Sequence, residues 1–149
     1  LQNISTGEFM DIDTYCKDLD ENLHLVMAIL YREVVNDSNG KYSIKPYEAN
    51  TRERAELFRK KMPASVAQSC LVFFLQFRKQ LFDRYSSIFR GGQQDRKGAQ
   101  FGKKWGWYTV VMMLCKEDLT KIDEVTNYSI HKSLTYMMYI KDKEKLNKK

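Results

Sequence analysis

Glycine and proline are scarce, seven and two in 149 residues. A chain of many short strands needs many turns, so this scarcity argues against an all-β sandwich. Long apolar runs are missing too. The densest, from Cys70 to Leu75, covers six residues, whereas a membrane-spanning helix needs about 18 or more. Cysteine is sparse and odd in number. Cys16, Cys70 and Cys115 lie far apart, form no Cys-x-x-Cys pair, and two of them sit in apolar runs. Reduced thiols in a cytoplasm fit this better than a disulfide framework. The first residues, Leu1-Gln2-Asn3, lack the basic and apolar regions of a signal peptide. They also lack an initial Met, so the natural start can lie upstream.

Catalytic patterns are equally thin. His24 and His131 each stand alone in a helical segment, with no His or Cys at ligand spacing, so no metal site is expected. No Gly-x-x-x-x-Gly-Lys-Ser/Thr loop and no Gly-x-Ser-x-Gly elbow occurs. The carboxylate pairs Asp11/Asp13 and Asp18/Asp20 are two residues apart, which puts each pair on different sides of a helix. Helix capping explains them more simply than acid–base chemistry. Neither an enzyme nor a cofactor is expected.

What is present describes one helical domain. Hydrophobic residues at 43% and charged residues at 30% suit a globular chain, and the length suits a single core. Ser5-Thr6-Gly7-Glu8 has the spacing of a capping box, with Phe9, Ile12 and Cys16 at helical spacing beyond it. Asp18-Leu19-Asp20-Glu21 starts a second helix carrying Leu23, Met27, Leu30 and Tyr31. A turn at residues 36–40 leads to an extended connector or one short strand, interrupted by Pro46. Asn50-Thr51-Arg52-Glu53 caps a helix to about Lys61, which must stop before Pro63. The longest helix runs from Pro63 to about Phe89. Val66, Cys70, Phe73, Phe74, Phe77 and Leu81 share one of its faces, and Leu71, Val72, Leu75 and Phe82 widen it. This helix is expected to be central and buried on more than one side. Residues 91–99, with three glycines, form a mobile loop. A helix over about 103–116, a short turn near Thr120 and a last helix from about Ser129 follow. That helix carries Ile130, Leu134, Met137 and Ile140 and fades into a lysine tail at 141–149. The expectation is all-α, one domain over 1–149, of about five to seven helices.

The charge is unevenly placed within a net of +6. Residues 1–31 hold Glu8, Asp11, Asp13, Asp18, Asp20 and Glu21 against Lys17 alone. Residues 76–104 hold Arg78, Lys79, Arg84, Arg90, Arg96, Lys97, Lys103 and Lys104 against Asp83 and Asp95. Such a basic patch serves nucleic acid or an acidic partner, although a solvated surface, attracting the chain's other end or a neighbouring subunit, is the simpler reading. Phe101, Trp105, Trp107 and Tyr108 sit beside Lys103 and Lys104, an arrangement able to stack on bases. Packing or protein binding explains the same rings more readily, because Trp105-Gly106-Trp107-Tyr108 opens an apolar helix. Seven Met and 19 aromatic residues suit a groove for an amphipathic helix as well as they suit a Met-rich core.

The order of segments supplies a resemblance. Ser5-Thr6-Gly7-Glu8-Phe9-Met10-Asp11-Ile12-Asp13 precedes Asn22-Leu23-His24-Leu25-Val26-Met27-Ala28-Ile29-Leu30-Tyr31-Arg32. Tyr42-Ser43-Ile44-Lys45-Pro46-Tyr47 and Met62-Pro63-Ala64-Ser65-Val66 follow, leading into Val72-Phe73-Phe74. Trp105-Gly106-Trp107-Tyr108 and Tyr139-Ile140-Lys141-Asp142-Lys143 complete the series. Over nearly its whole length the chain resembles small helical proteins of tailed bacteriophages, the tail assembly chaperones and other virion structural proteins. The motifs are structural rather than catalytic. The resemblance implies a non-enzymatic protein that covers apolar helix faces of tail or other virion proteins during assembly in the host cytoplasm, with or without retention in the virion. Such faces aggregate when left bare. It points to Tyr31, Arg32, Trp105, Trp107 and Tyr108, joined by Phe101, as partner-binding residues. These residues could equally fix the fold, with Arg32 paired to an acidic residue. Self-association is a further option, nucleic acid is the second choice of partner, and no membrane is expected. The basic balance from Arg78 onward departs from what a chaperone of apolar helices needs.

Overall fold

The capping box at the start forms as its residues dictate. Ser5 N donates to Glu8 Oε2 at 2.7 Å, and Glu8 N donates to Ser5 Oγ at 3.2 Å, so each side chain satisfies a backbone donor that the helix leaves orphaned. The computed structural model describes residues 3–36, 38, 40–45, 51–89 and 96–147, with only the backbone of 96, 97 and 99. In chain order the elements are α1 (Thr6–Tyr15), α2 (Leu19–Leu30), β1 (Val34–Asn36), β2 (Tyr42–Ile44), α3 (Thr51–Lys61), α4 (Ala64–Arg84) and α5 (Ser86–Phe89). After these come α6 (Arg96–Trp105), α7 (Trp107–Cys115), a 3-10 turn (Leu119–Lys121), α8 (Ile122–Thr126) and α9 (Ile130–Asn147). The protein is mostly helical, with nine α-helices and one two-stranded sheet among the described residues. None of the described helices is long and apolar enough to cross a membrane.

The contacts gather into two compact units, Met10–Leu75 and Leu1–Phe9 with Gln76–Lys149. In the first, α2 buries Val26, Met27, Ala28 and Ile29, and Ala55, Ala67 and Phe74 are buried with them. Arg54 is 8% exposed. Its Nε and Nη2 donate to the Ala28 carbonyl at 3.2 and 3.0 Å. That carbonyl is among the last of α2, where a cation is favoured by the helix dipole. Asp18 precedes α2 but makes no side-chain capping bond; Asp20 and Glu21 supply the acidic first turn. β1 and β2 form an antiparallel ribbon with Val34 opposite Ile44, Val35 opposite Ser43 and Asn36 opposite Tyr42. This corrects the expectation of a connector or lone strand. Gly40, at φ +74°, lies between the strands, where a left-handed residue suits a turn.

In the second unit the chain's first segment pairs with the entry to α9. Thr6 N donates to Tyr128 O at 2.8 Å, and Ile130 N donates to Ile4 O at 3.0 Å. The Thr6 and Ser133 hydroxyls meet at 2.7 Å, buried. Phe9, Leu81, Cys115, Ile130 and Leu134 supply fully covered side chains, and Val111 is buried with them.

Five further expectations are corrected. The long helix is interrupted at Tyr85, which separates α4 from α5. Its inner line is Ala67, Phe74, Leu81 and Tyr85, leaving Val66, Val72, Phe73 and Leu75 exposed; it is not buried on several sides. The helix expected over 103–116 begins at Arg96 and is broken at Gly106. Of the loop expected at 91–99, residues 91–95 lie outside the described residues, and Arg96 onward is helical. The tail from Lys141 continues α9 as far as Asn147, and residues 148–149 lie outside the description.

Candidate functional site

Gly106 lies at the centre of an open apolar groove. It sits at φ +48° and ψ −125°, a conformation that a residue with a Cβ adopts only under strain. Its N–H still closes α6 on the Gly102 carbonyl at 2.8 Å, and its carbonyl accepts from Thr109 N at 3.2 Å. The two helices therefore meet at a joint in the backbone. Phe101, Trp105, Tyr108 and Met112 follow in steps of four, three and four, and they remain on one side across that joint.

The result is a groove of about 690 Å³ lined by Phe101, Trp105, Tyr108, Thr109, Met112, Met113, Lys116 and Glu117. Its aromatic wall is continuous. Phe101 and Trp105 have ring centroids 6.4 Å apart, and Trp105 and Tyr108 are 5.7 Å apart. Trp105 is 43% exposed and Phe101 55%. Lys104 Nζ lies 5.1 Å from the Trp105 ring centre, a distance at which a cation is held by the ring. At the far end Lys116 and Glu117 both take left-handed backbone, at φ 53° and 64°, and Glu117 N closes α7 on the Met112 carbonyl at 2.9 Å. Thr109 Oγ1 is buried and has no hydrogen-bond partner. A buried hydroxyl left this way is destabilising until something bonds it.

Trp107 goes elsewhere. Its ring meets Phe9 edge-on at 5.5 Å and Phe89 at 6.2 Å. Phe9 is fully buried and also contacts Phe77 and Phe82, at 6.3 and 6.2 Å. Tyr31 and Arg32 belong to the other unit. The Tyr31 ring stands edge-on to Phe58 at 6.2 Å, and its hydroxyl meets Cys70 Sγ; that hydrogen bond raises the phenol's pKa above its usual value. Arg32 donates to the Lys45 carbonyl at 3.3 Å. The structure thus brings Phe101, Trp105 and Tyr108 into one groove and places Trp107, Tyr31 and Arg32 outside it.

The basic candidates are divided between helices. Arg78, Lys79 and Arg84 lie on α4; Lys103 and Lys104 lie on α6. Arg78 stacks on Phe82 at 4.5 Å, Arg84 lies 5.6 Å from the Tyr85 ring, and Lys79 pairs with Asp83 at 2.7 Å. Arg90 lies outside the described residues, as do the side chains of Arg96 and Lys97. Sequence reasoning did not single out Met112, Met113, Thr109 or Lys116. The continuing four-residue step beyond Tyr108 was the available signal.

Among the described residues no group of three or more His, Cys, Asp and Glu could hold a metal. Tyr85, 3% exposed, bonds His131 Nδ1 and Thr135 Oγ1, both at 3.2 Å. Burial, and secondarily Arg84, lowers the His131 pKa. The half-buried imidazole ties α9 to Tyr85. Comparison with known proteins finds no matching family model, no similar curated protein and no similar solved structure.

Proposed function

We propose that this chain is a protein-binding module, not an enzyme, and that the groove of α6 and α7 receives the apolar face of a partner helix. The observation that carries this reading is the continuous wall of Phe101, Trp105 and Tyr108 facing solvent with Met112 and Met113. Exposed aromatics and flexible Met side chains in a concave apolar groove suit helix-in-groove recognition. The rings lose little rotamer freedom on binding, and Met adapts its shape to different anchors. The resemblance to tail assembly chaperones offers a class of occupant, an apolar helical stretch of a virion protein awaiting assembly in the host cell. It rests on the order of structural segments alone.

A second reading is single-stranded nucleic acid. It is favoured by Lys103 and Lys104 beside the exposed Phe101 and Trp105 rings. Its weakness is that Lys79 already holds an acidic partner and Arg78 and Arg84 lie against rings.

Salt separates the two. An amphipathic peptide with leucines at i, i+3, i+4 and i+7, and a single-stranded oligonucleotide, are titrated against the full chain at low and high salt. Anisotropy of a fluorescent label on the peptide or oligonucleotide reports binding. The expected result is peptide binding that survives high salt and is lost in Trp105→Ala. Oligonucleotide binding that falls steeply with salt, without peptide binding, would replace the first reading by the second.

A further inference from the structure

The charge along α6 and α7 is of one sign. Residues 96–116 include Arg96, Lys97, Lys103, Lys104 and Lys116 and no Asp or Glu. Several lysines elsewhere are already matched: Lys79 with Asp83 at 2.7 Å, Lys121 with Asp118 at 2.9 Å and Lys145 with Asp142 at 2.8 Å. Lys103, Lys104 and Lys116 are exposed and have no such carboxylate partner among the described residues. Two of these three border the apolar wall. Lys104 lays its stem beside Trp105, with the ammonium 5.1 Å from the ring centre, so the charge stays at the rim while the methylenes extend the apolar surface. Lys116 lines the other end, next to the carboxylate of Glu117. That end is balanced, and the unmatched positive charge belongs to the α6 end.

We infer that the occupant of this groove is an acidic amphipathic helix, with Asp or Glu flanking its apolar stripe where it passes Lys103 and Lys104. This rests on the reading of the groove as a helix-binding site and adds the charge of the partner. Phe101, Trp105, Tyr108 and Met112 form the apolar line, and Lys104 stands beside it as charged residues stand beside a coiled-coil seam, where they decide which helix is accepted. A carboxylate arriving there forms an ion pair without breaking one. A neutral flank leaves the lysines in water, and a basic flank is repelled, so the rim selects against basic helices. Exposed pairs of this kind add little affinity each; their effect is on the encounter and on the choice of partner. A single nucleic-acid strand offers negative charge too. Beyond Tyr108, however, the lining is Met112 and Met113, flexible thioethers that fit an apolar side chain and present no ring for a base to stack on.

The test uses three labelled peptides with the same leucines at i, i+3, i+4 and i+7. They differ only in the residues flanking that stripe, which are Glu, Gln or Lys. Each is titrated against the full chain by anisotropy at low and high salt. At low salt the Glu peptide should bind ~5–10-fold more tightly than the Gln peptide, and the Lys peptide more weakly than either. High salt should narrow these differences. Lys103→Glu combined with Lys104→Glu should reverse the order; both side chains are exposed, so far-UV circular dichroism should match the parent. The same change of charge at Lys143 and Lys145, which do not line the groove, should keep the order, separating a local effect from that of net charge. Equal binding of the Glu and Gln peptides would overturn the inference and leave the groove's reading intact. So would an order unchanged by the Lys103 and Lys104 substitutions, or one reversed equally by those at Lys143 and Lys145. Binding of none of the peptides would overturn both. A single-stranded oligonucleotide that binds more tightly than the Glu peptide and is lost in the Lys103 and Lys104 variant would assign these lysines to nucleic acid instead.

Discussion

Trp105 and Trp107 are the chain's two tryptophans, two residues apart, and they serve opposite ends. Trp105 faces solvent in a wall of rings beside Lys104. Trp107 packs against Phe9 and Phe89. Composition and hydropathy treat them alike. Position separates them: residues two apart face different sides of a helix, and Gly106 between them, at φ +48°, marks where one helix ends and the next starts. An aromatic is thus a packing residue or a binding residue by its direction.

The largest expected effect tests the buried half of this pair. Phe9→Ala removes the fully buried ring on which Trp107, Phe77 and Phe82 converge. It should lower stability by ~3–5 kcal/mol, measured by denaturant unfolding. Next come the tryptophans themselves. Trp107→Ala should cost ~3 kcal/mol, while Trp105→Ala should stay within ~1 kcal/mol and lose peptide binding instead. Equal losses would mean that both rings serve the core and that the distinction is wrong. Gly106→Ala probes the joint. A Cβ there meets no atom within 4 Å, so only backbone strain opposes it, of order ~1–3 kcal/mol. A substitution without cost would show that the joint does not need its left-handed angle.

The smallest effect concerns pH. Burial lowers the His131 pKa from its ordinary 6.5, so the unfolded chain takes up this proton at a higher pH than the folded chain does. The corresponding stability is complete above 6.5 and is lost as pH falls through the folded value. His131→Gln should flatten that part of the stability profile, recorded by thermal melts across mildly acidic pH. An unchanged slope would assign it to other groups.

Local rules were legible in the sequence. The capping box at Ser5 and Glu8, the boundary at Pro63, and the helix starts after Asp18 and near Ser129 each depend on a few adjacent residues. Phe101, Trp105 and Tyr108 could be singled out because aromatic rings beside lysines are distinctive. The phase of α4 was not legible. Apolar residues fill Cys70 to Leu75 without interruption, so periodicity gives no preferred side, and Ala67 rather than Val66 faces inward. The β1–β2 ribbon was missed because its three-residue strands are too short to show alternation. The cage around Phe9 was invisible for another reason: it joins residues 9, 77, 82 and 107, and separation in sequence hides such meetings.

The pairing of Ile4 and Thr6 with Ile130 and Tyr128 bears on how the chain is made. During synthesis the first residues emerge long before their partners exist. Residues 10–75 are continuous and can gather as soon as they leave the ribosome, but the unit built from 1–9 and 76–149 cannot close until its last quarter has been translated. Closing so long a loop is slow. Until then Phe9 waits without Trp107, and the nascent chain depends on its surroundings to keep that ring from the wrong company.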